Sequence, residues 1–466
     1  VTRTDLIKLW AAPQHPPPRR REIAAKIEAA LPGPLLNLLK EASNLAQEMG
    51  YPLYVVGGFV RDLLLEKPTL DMDLVVEGDA IKLARQLARL VGARSRSHQR
   101  FGTAKVMLEG REAEFGVSFL DFATARMEFY AHSAALPEVE SGSIKADLHR
   151  RDFTINTLAI RLDPPHFGTL LDFYGGEQDL NDGLVRVLHS LSFIEDPTRI
   201  MRAARFEQRL GFAIEPRTAE LIDNALPSLS RVSGERIRHE LYLILWEPEP
   251  ERVLSRLEDL NVLAQIHPRL ACGDVGELFG KLRQILSEGQ WDVPGEDNGR
   301  PPPRLYLALL TCSLPRAEIE TLAGRLKIFR DDLDLLRQMA DLRDREPELE
   351  RRDLSNREID ALLRRSSSSA MLIRWLCTAS ERVRERLWLY ESRLRHVQPV
   401  VDGDYLLGLG LKPSPLYSRL LGAVRDALLD GQIETAEEEE ALVARLLQEW
   451  GEMDPGERQE GGSSDE

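Results

Sequence analysis

Apolar residues follow two different rhythms along this chain. From Tyr51 to about Asp182 they gather in short β-branched runs set between helical stretches such as Ile81 to Val91. The runs are Tyr54-Val55-Val56, Leu74-Val75-Val76, Ala104-Lys105-Val106-Met107-Leu108 and Phe119-Leu120-Asp121-Phe122. This alternation predicts an α/β head. After Leu184 nearly every apolar residue returns at a helical interval: Ile200 to Leu210, Thr218 to Ala225, Glu235 to Trp246, Val253 to Leu260, Gly276 to Leu286, Arg304 to Thr311, and on through Leu442 to Trp450. The expected fold class is therefore α+β, with strands confined to the first part. Up to Asn44 the chain reads as a charged lead-in broken by Pro13, Pro16, Pro17 and Pro18, carrying Arg19 to Arg21 and then an amphipathic helix near Ile23 to Leu31. Pro294 to Pro303 reads as a linker and Gly461 to Glu466 as a disordered end.

A length of 466 residues has room for about two to four domains. Hydrophobic residues at 43% and charged residues at 29% exclude a wholly disordered or fibrous chain. No stretch reaches the roughly 18 apolar residues of a membrane span. The opening Val1-Thr2-Arg3-Thr4-Asp5-Leu6 lacks a signal peptide's apolar core, so a cytoplasmic protein without membrane contact is expected. Cys272, Cys312 and Cys377 form no CxxC, which leaves neither a disulfide framework nor a structural zinc site. The formal charge of −15 argues against nucleic-acid binding until its distribution is read. Residues 431–466 hold twelve acidic and two basic side chains, whereas residues 361–400 hold eight arginines against three glutamates. Fields screened over roughly 10 Å respond to the local balance.

The candidate chemistry begins at Val56-Gly57-Gly58-Phe59-Val60-Arg61-Asp62, followed by Asp71-Met72-Asp73. A strand leading through Gly57 and Gly58 into a helix brings backbone N–H groups close to a phosphate, and Arg61 adds a charge-assisted contact. Asp71 and Asp73, two apart in an extended segment, place both carboxylates on one face, where they repel unless a divalent cation lies between them. Hard oxygen ligands suit Mg²⁺. Phosphoryl chemistry calls for a third carboxylate on a neighbouring strand; Asp121 is best placed and Glu114 second. In Arg150-Arg151-Asp152-Phe153-Thr154-Ile155-Asn156, Asp152 and Asn156 stand one helical turn apart with the arginines at that helix's start, a group able to hold phosphates and a ribose hydroxyl. Beyond Glu195, Asp196, Arg199, Arg202 and Arg205 recur at steps of three along one helix face. An Asp acceptor beside Arg donors can read the edge of adenine or cytosine, which share an exocyclic amine. Singly, these features are an ordinary turn, a solvated loop and an ion-pair face; their conjunction carries the argument.

In this order the segments resemble the class II tRNA nucleotidyltransferases, the family of CCA-adding enzymes and bacterial poly(A) polymerases within the polymerase-β-like nucleotidyltransferases. The likeness covers about Tyr51 to Leu245: GGFVRD with DMD, RRDFTIN, Asp172-Phe173-Tyr174-Gly175-Gly176 with Asp179-Leu180, EDPTR, and Ser233-Gly234-Glu235-Arg236-Ile237. Leu409-Gly410-Leu411-Lys412-Pro413-Ser414-Pro415 is more weakly similar to the family's tail, and Pro248 to Val400 shares only helical character. The resemblance implies a lead-in (1–45), a polymerase-β-like nucleotidyltransferase head (46–182), an all-α neck with a nucleotide-selecting helix (183–265), a body (266–395), a tRNA-binding tail (396–452) and a disordered acidic end (453–466). It gives Gly58 and Arg61 to the triphosphate, Asp71 and Asp73 to Mg²⁺, and Arg151, Asp152 and Asn156 to the nucleotide's phosphates and sugar. Asp196 and Arg199 become the protein template for the base, with Arg202 and Arg205 beside them. Thr157 replaces an expected alanine, and Glu66-Lys67-Pro68 stands where a glycine turn is usual. Val1 to Leu6 resembles the end of a CBS domain, as in a fragment of a longer DHH- and CBS-containing enzyme, while the lack of any His-Asp pair speaks against an HD phosphohydrolase domain.

The activity this implies is addition of the terminal A from ATP, or of the whole CCA from ATP and CTP, to a tRNA 3′ end, with release of pyrophosphate. Two alternatives stand beside it. A poly(A) polymerase would use the same head on other RNA 3′ ends, although Phe101-Gly102-Thr103-Ala104-Lys105 is similar to the CCA-adding form of that strand. A catalytically idle RNA-binding module would not need Asp71 and Asp73. Met127 to Glu140 shows no strand or helix period and reads as a mobile loop. In the family, a loop of full length here supports addition of the final A.

Overall fold

The computed structural model describes residues 19–67, 69–129, 138–273, 275–293 and 300–453. The CBS-like opening, Pro68, the centre of the expected loop (130–137), most of the proline-rich linker (294–299) and the acidic end from 454 lie outside the described residues. Two compact units divide the chain between Pro268 and Arg269.

Ten strands of the first unit are β1 (Arg19–Glu22), β2 (Leu53–Val56), β3 (Asp73–Val76), β4 (Arg94–His98), β5 (Thr103–Met107), β6 (Phe119–Thr124), β7 (Arg126–Phe129), β8 (Glu138–Ser141), β9 (Leu158–Arg161) and β10 (Thr169–Asp172). Eight of them form one sheet in the order β1-β10-β9-β2-β3-β6-β5-β4. Its pairs are antiparallel except β3 with β6, which sets Asp73 opposite Asp121. Strand β2 is central, so both its faces are apolar. Tyr54 and Val56 pack with Val75, Ala159, Leu171, Ile144 and Leu148. Leu53 and Val55, equally buried, point to the opposite face. Helix Ala80–Leu90, capped by Asp79 Oδ1 on the Lys82 N–H at 2.9 Å, packs on β5 and β6 through Leu83, Leu87 and Ala84.

Two segments depart from the sequence reading. Arg19–Glu22, expected as lead-in, is the sheet's edge strand and pairs with Thr169–Asp172. Backbone pairing on the open edge of β10 outweighs its lack of apolar residues, and basic side chains suit an edge. The expected loop from Met127 to Glu140 has paired flanks: β7 and β8 form an antiparallel ribbon, too short to show a period in the sequence.

After helix Gly176–Asp182 the first unit is largely helical. A small parallel pair, Leu184–Val185 with Ala213–Ile214, brackets helix Thr198–Leu210. That helix buries Ile200, Met201, Ala203 and Ala204 and stops at Gly211, whose φ of 72° is left-handed. Helices Pro216–Ala225, Gly234–Leu245, Pro250–Asp259 and Val262–Ile266 follow.

The second unit is helical, from Val275–Ser287 to Ala436–Met453. Its last part has a small core of its own, in which Val401, Leu406, Leu420, Val424 and Val443 are buried together. Among the described residues no helix is long and apolar enough to cross a membrane.

Candidate active site

Strand β2 ends at Gly57, whose φ of 73° and ψ of −129° are open to glycine alone. A Cβ there would stand 2.6 Å from Arg151 Nη1, so the turn is shaped around that guanidinium. Helix Gly58–Leu64 starts at once and carries Arg61, buried, with Nη1 donating to Asn156 Oδ1 at 2.7 Å and Nε to Asp62 at 2.8 Å. Where a glycine turn was expected, Glu66 itself adopts a left-handed φ of 57°. The turn, this helix and the start of β3 open onto a cleft of about 620 Å³. Of the site residues expected from the sequence, Gly57, Gly58, Arg61, Asp71, Asp73, Arg151, Asp152, Asn156, Asp196, Arg199, Arg202 and Arg205 all line it.

Asp121 does not. It stands opposite Asp73 on the neighbouring strand as expected, but its carboxylate pairs with Lys105 Nζ at 3.0 Å. Glu114 pairs with Arg111 at 2.9 Å, also off the cleft. Asp73 has an exposed edge in a crowded concave site; burial, Asp71 and Asp121 push its carboxyl above the usual carboxylate range, and Arg151 only partly offsets them.

The arginine pair is arranged differently from the expectation. Arg150 and Arg151 follow the end of helix Ile144–His149 rather than opening one, and Thr154–Asn156 is a single tight 3₁₀ turn. Neighbours fix that turn: the Thr154 N–H donates to the Arg186 carbonyl at 2.9 Å, and its hydroxyl to Asp179 at 2.5 Å. Gly176 must be glycine, because a Cβ would lie 2.3 Å from the Thr154 carbonyl oxygen. The i to i+4 contact survives, with Asn156 Nδ2 donating to Asp152 Oδ1 at 2.9 Å. Asp152 Oδ2 accepts from Arg202 Nε at 2.8 Å and Nη2 at 2.5 Å. Burial alone would raise the Asp152 carboxyl; Arg202 and Asn156 instead bring it down to about 2.

Helix Thr198–Leu210 presents its arginines unequally. Arg202 also reaches Glu240 at 3.3 Å, and Arg205 lies 3.6 Å from both Glu240 and Glu247. Phe206 sits beneath the guanidinium groups of Arg61, Arg202 and Arg205, 5.1 to 5.6 Å from its centroid. Arg199 is buried: Nη2 donates to the Arg150 carbonyl at 2.8 Å, and Nη1 has no partner among the described residues. Asp196 accepts on Oδ1 from the Thr198 N–H at 3.1 Å, the Thr198 hydroxyl at 2.6 Å and Arg236 at 2.6 Å. No described contact reaches its Oδ2.

Beside this pair, His189 lies 3.5 Å from Glu195 and stacks on His149 at 5.4 Å. Burial, with Arg199 nearby, lowers the His189 imidazole to about 4. Between pH 6.5 and 4 the unfolded chain takes up a proton that the folded chain does not, so stability is lost as pH falls through this window. The melting temperature of the wild type should therefore fall more steeply from pH 7 to 4.5 than that of His189→Gln; parallel curves would remove His189 as a cause.

Two family models match the chain: the Poly A polymerase head domain over residues 53–186, and the probable RNA and SrmB-binding site of polymerase A over residues 211–272. Over 469 residues it is 37% identical to the A-adding tRNA nucleotidyltransferase of Geobacter sulfurreducens. That alignment covers 96% of this chain and 52% of the relative, so the chain spans about half of that protein's length. Identity to the A-adding tRNA nucleotidyltransferase of Halalkalibacterium halodurans is 33% over 408 residues, 86% of this chain and 90% of the relative. The chain belongs to the tRNA nucleotidyltransferase and poly(A) polymerase family. Its fold matches the Thermotoga maritima CCA-adding enzyme complexed with tRNA_CCA at a TM-score of 0.69, with 30% identity over 92% of this chain and 99% of that one.

Nucleotidyltransferases of this family use a divalent metal, and the donor set of this head fits one. Among the described residues no group of three or more His, Cys, Asp or Glu side chains is arranged around a metal position. Asp71 and Asp73 are instead two hard oxygen donors in a cleft lined by Gly57, Gly58, Arg61 and Arg151, and a cation that keeps waters and shares substrate phosphates needs no more from the protein. Several participants went unforeseen from the sequence: Asp147, which holds Arg150 and Arg151; Phe206; and Arg236 and Glu240 on helix Gly234–Leu245; Arg150, expected as a phosphate-side cation, also holds Arg199 through its carbonyl. The spacing of Asp147 three and four residues before the two arginines was the signal available for it. A larger cavity of about 790 Å³ in the second unit is lined by Arg304, Arg395 and Trp388, but also by Asp292, Asp331 and Glu391, so its carboxylates outnumber its arginines and nothing concentrates an anion there.

Proposed function

We propose that this chain adds the terminal adenosine to a tRNA ending in C-C, using ATP, releasing pyrophosphate and acting in the cytoplasm. The observation that carries the reading is the Asp196 and Arg199 pair: an acceptor oxygen held on one side only, beside a buried guanidinium N–H with no protein partner. These complement the edge of adenine or of cytosine, each of which offers an amine donor and a ring-nitrogen acceptor. The two A-adding relatives, aligned along 96% and 86% of the chain, favour A over a role confined to C. The glycine turn, Arg61 and Arg151 would receive the triphosphate. Asp152 and Asn156 hold Arg61 and Arg202 in place around the sugar side of the cleft. Asp71 and Asp73 would hold Mg²⁺, which when bound supplies charge stabilisation at the phosphorus attacked by the RNA 3′-hydroxyl. In this reading the head, neck, body and tail follow the divisions expected from the sequence, and the second unit grips the tRNA by its phosphates. CTP is kept as a possible second substrate for the same pair.

Offering tRNAs that end before, within and after C-C, each with ATP or CTP, tests the proposal. Extension by A of the C-C end alone is the expected result; extension of an unrelated RNA 3′ end by many adenosines would favour a poly(A) polymerase. In the same assay Asp196→Ala should weaken selection against GTP and UTP by about 1 to 3 kcal/mol while slowing correct addition less. Selectivity unchanged within error would make this helix an ion-pair face.

A further inference from the structure

Asp147 lies in the short helix Ile144–His149 and is wholly buried. A buried carboxylate is costly unless its oxygens are matched, and replacing such a group by a well-packed apolar one is often neutral or stabilising. What the oxygens match therefore bears on why the charge is there. Oδ1 accepts from Arg150 Nε at 3.0 Å and Nη2 at 2.7 Å, and from the backbone N–H of Arg126 at 3.4 Å. Oδ2 accepts from Arg151 Nη2 at 3.3 Å.

Two of these three partners lead into the nucleotide cleft. Arg151 is the guanidinium around which the Gly57 turn is shaped. The carbonyl of Arg150 receives Nη2 of Arg199. The third partner, Arg126, opens β7, and its ribbon partner β8 runs through Gly142 and Ser143 into the helix of Asp147. The Gly142 N–H donates to the Ala125 carbonyl at 2.8 Å and the Ile144 N–H to Glu77 at 2.5 Å, tying the base of the ribbon to the sheet. One carboxylate thus joins the ribbon, the arginine beside the phosphate turn and the support of the base-reading arginine.

We propose that Asp147 is a positioning residue for nucleotide choice: it holds Arg151 toward the triphosphate and, through the Arg150 carbonyl, Arg199 toward the base, with the β7–β8 ribbon as its third anchor. The inference rests on reading the cleft as a nucleotide site. Asp147 touches no reacting atom; its charge reaches the Asp73 carboxylate only through space. Its loss acts on how the nucleotide is held and chosen.

Asp147→Asn keeps the side chain's shape and removes the charge that both guanidinium groups share. With the full chain, ATP and a tRNA ending in C-C, KM for ATP should rise about tenfold and the ratio of A to C incorporation should fall about tenfold, with a much smaller change in kcat. Asp147→Glu, which restores the charge, should recover part of both. Calorimetric titration with ATP and with CTP reads the same preference without turnover. A wild-type chain that binds ATP but extends no tRNA would sink the functional reading, and the ATP-to-CTP affinity ratio of the variants would still decide the role of Asp147. A folded Asp147→Asn with unchanged KM and unchanged A-to-C ratio, or with a loss in kcat alone, overturns the proposal. If Asp147→Asn is unfolded at the assay temperature, Asp147→Glu decides: ATP affinity and selectivity within about twofold of wild type would overturn it.

Discussion

Alanine at Asp71 or at Asp73 should reduce nucleotide addition on the order of a thousandfold, because charge stabilisation at the reacting phosphorus is worth several kcal/mol. Among the described residues no neighbouring carboxylate is free to take over: Asp62, on the same cleft, is paired with Arg61. Asp121, the obvious substitute opposite Asp73, is paired with Lys105 and does not line the cleft. Affinity for tRNA should change little, since in the proposed reading it is built from phosphate contacts of the second unit. Radiolabel incorporation paired with a filter-binding titration separates the two quantities. Asp121→Asn serves as the internal contrast and should cost less than about tenfold, because its charge acts on Asp73 only through space. If Asp73→Ala kept activity within about tenfold of wild type, the metal-holding assignment would have to be abandoned.

The same pair shows how far the sequence carries. Residues that act through the local chain were legible: the glycine pair after a β-branched run, two aspartates at and just before a strand start that both line the cleft, arginines at steps of three on a helix. Each depends on a period of two or a turn of 3.6 residues, which spacing records. What spacing does not record is which groups meet after the chain returns. Arg202 binds Asp152 from 50 positions away, and Arg199 binds the Arg150 carbonyl from 49, so the arginines expected along one helix face divide into a brace for Asp152 and a side chain anchored through Nη2 alone. Arg236 and Glu240 belong to a later helix whose sequence gives no sign of Asp196 or Arg202. The edge strand Arg19–Glu22 was hidden for a related reason: its stabilisation comes from backbone pairing with β10, to which side-chain hydropathy is blind.

Asp152→Ala should combine a large loss of stability with a loss of addition. The carboxylate is buried, and its two oxygens hold the Phe153 N–H, Asn156, and Nε and Nη2 of Arg202. Removing one member of a buried ion pair strands the other, at about 3 to 5 kcal/mol. Arg202 would keep only its 3.3 Å contact with Glu240 and its place over Phe206, and Asn156, released, would no longer present Oδ1 to Arg61. The pH dependence follows from the low folded pKa. A carboxyl at about 2 in the fold and 3.8 unfolded contributes stability that is fully present above pH 4 and disappears as pH falls through 4 toward 2. Wild type and Asp152→Ala should thus differ most near neutral pH and converge in acid. The double variant Asp152→Ala with Arg202→Met should melt higher than Asp152→Ala alone, because the stranded cation is gone, while nucleotide addition stays lost. Urea unfolding of the three proteins, followed by a probe in the first unit, measures this directly. If Asp152→Ala lies within about 1 kcal/mol of wild type at pH 7, or if Arg202→Met destabilises it further, the network is not what holds this side of the cleft together.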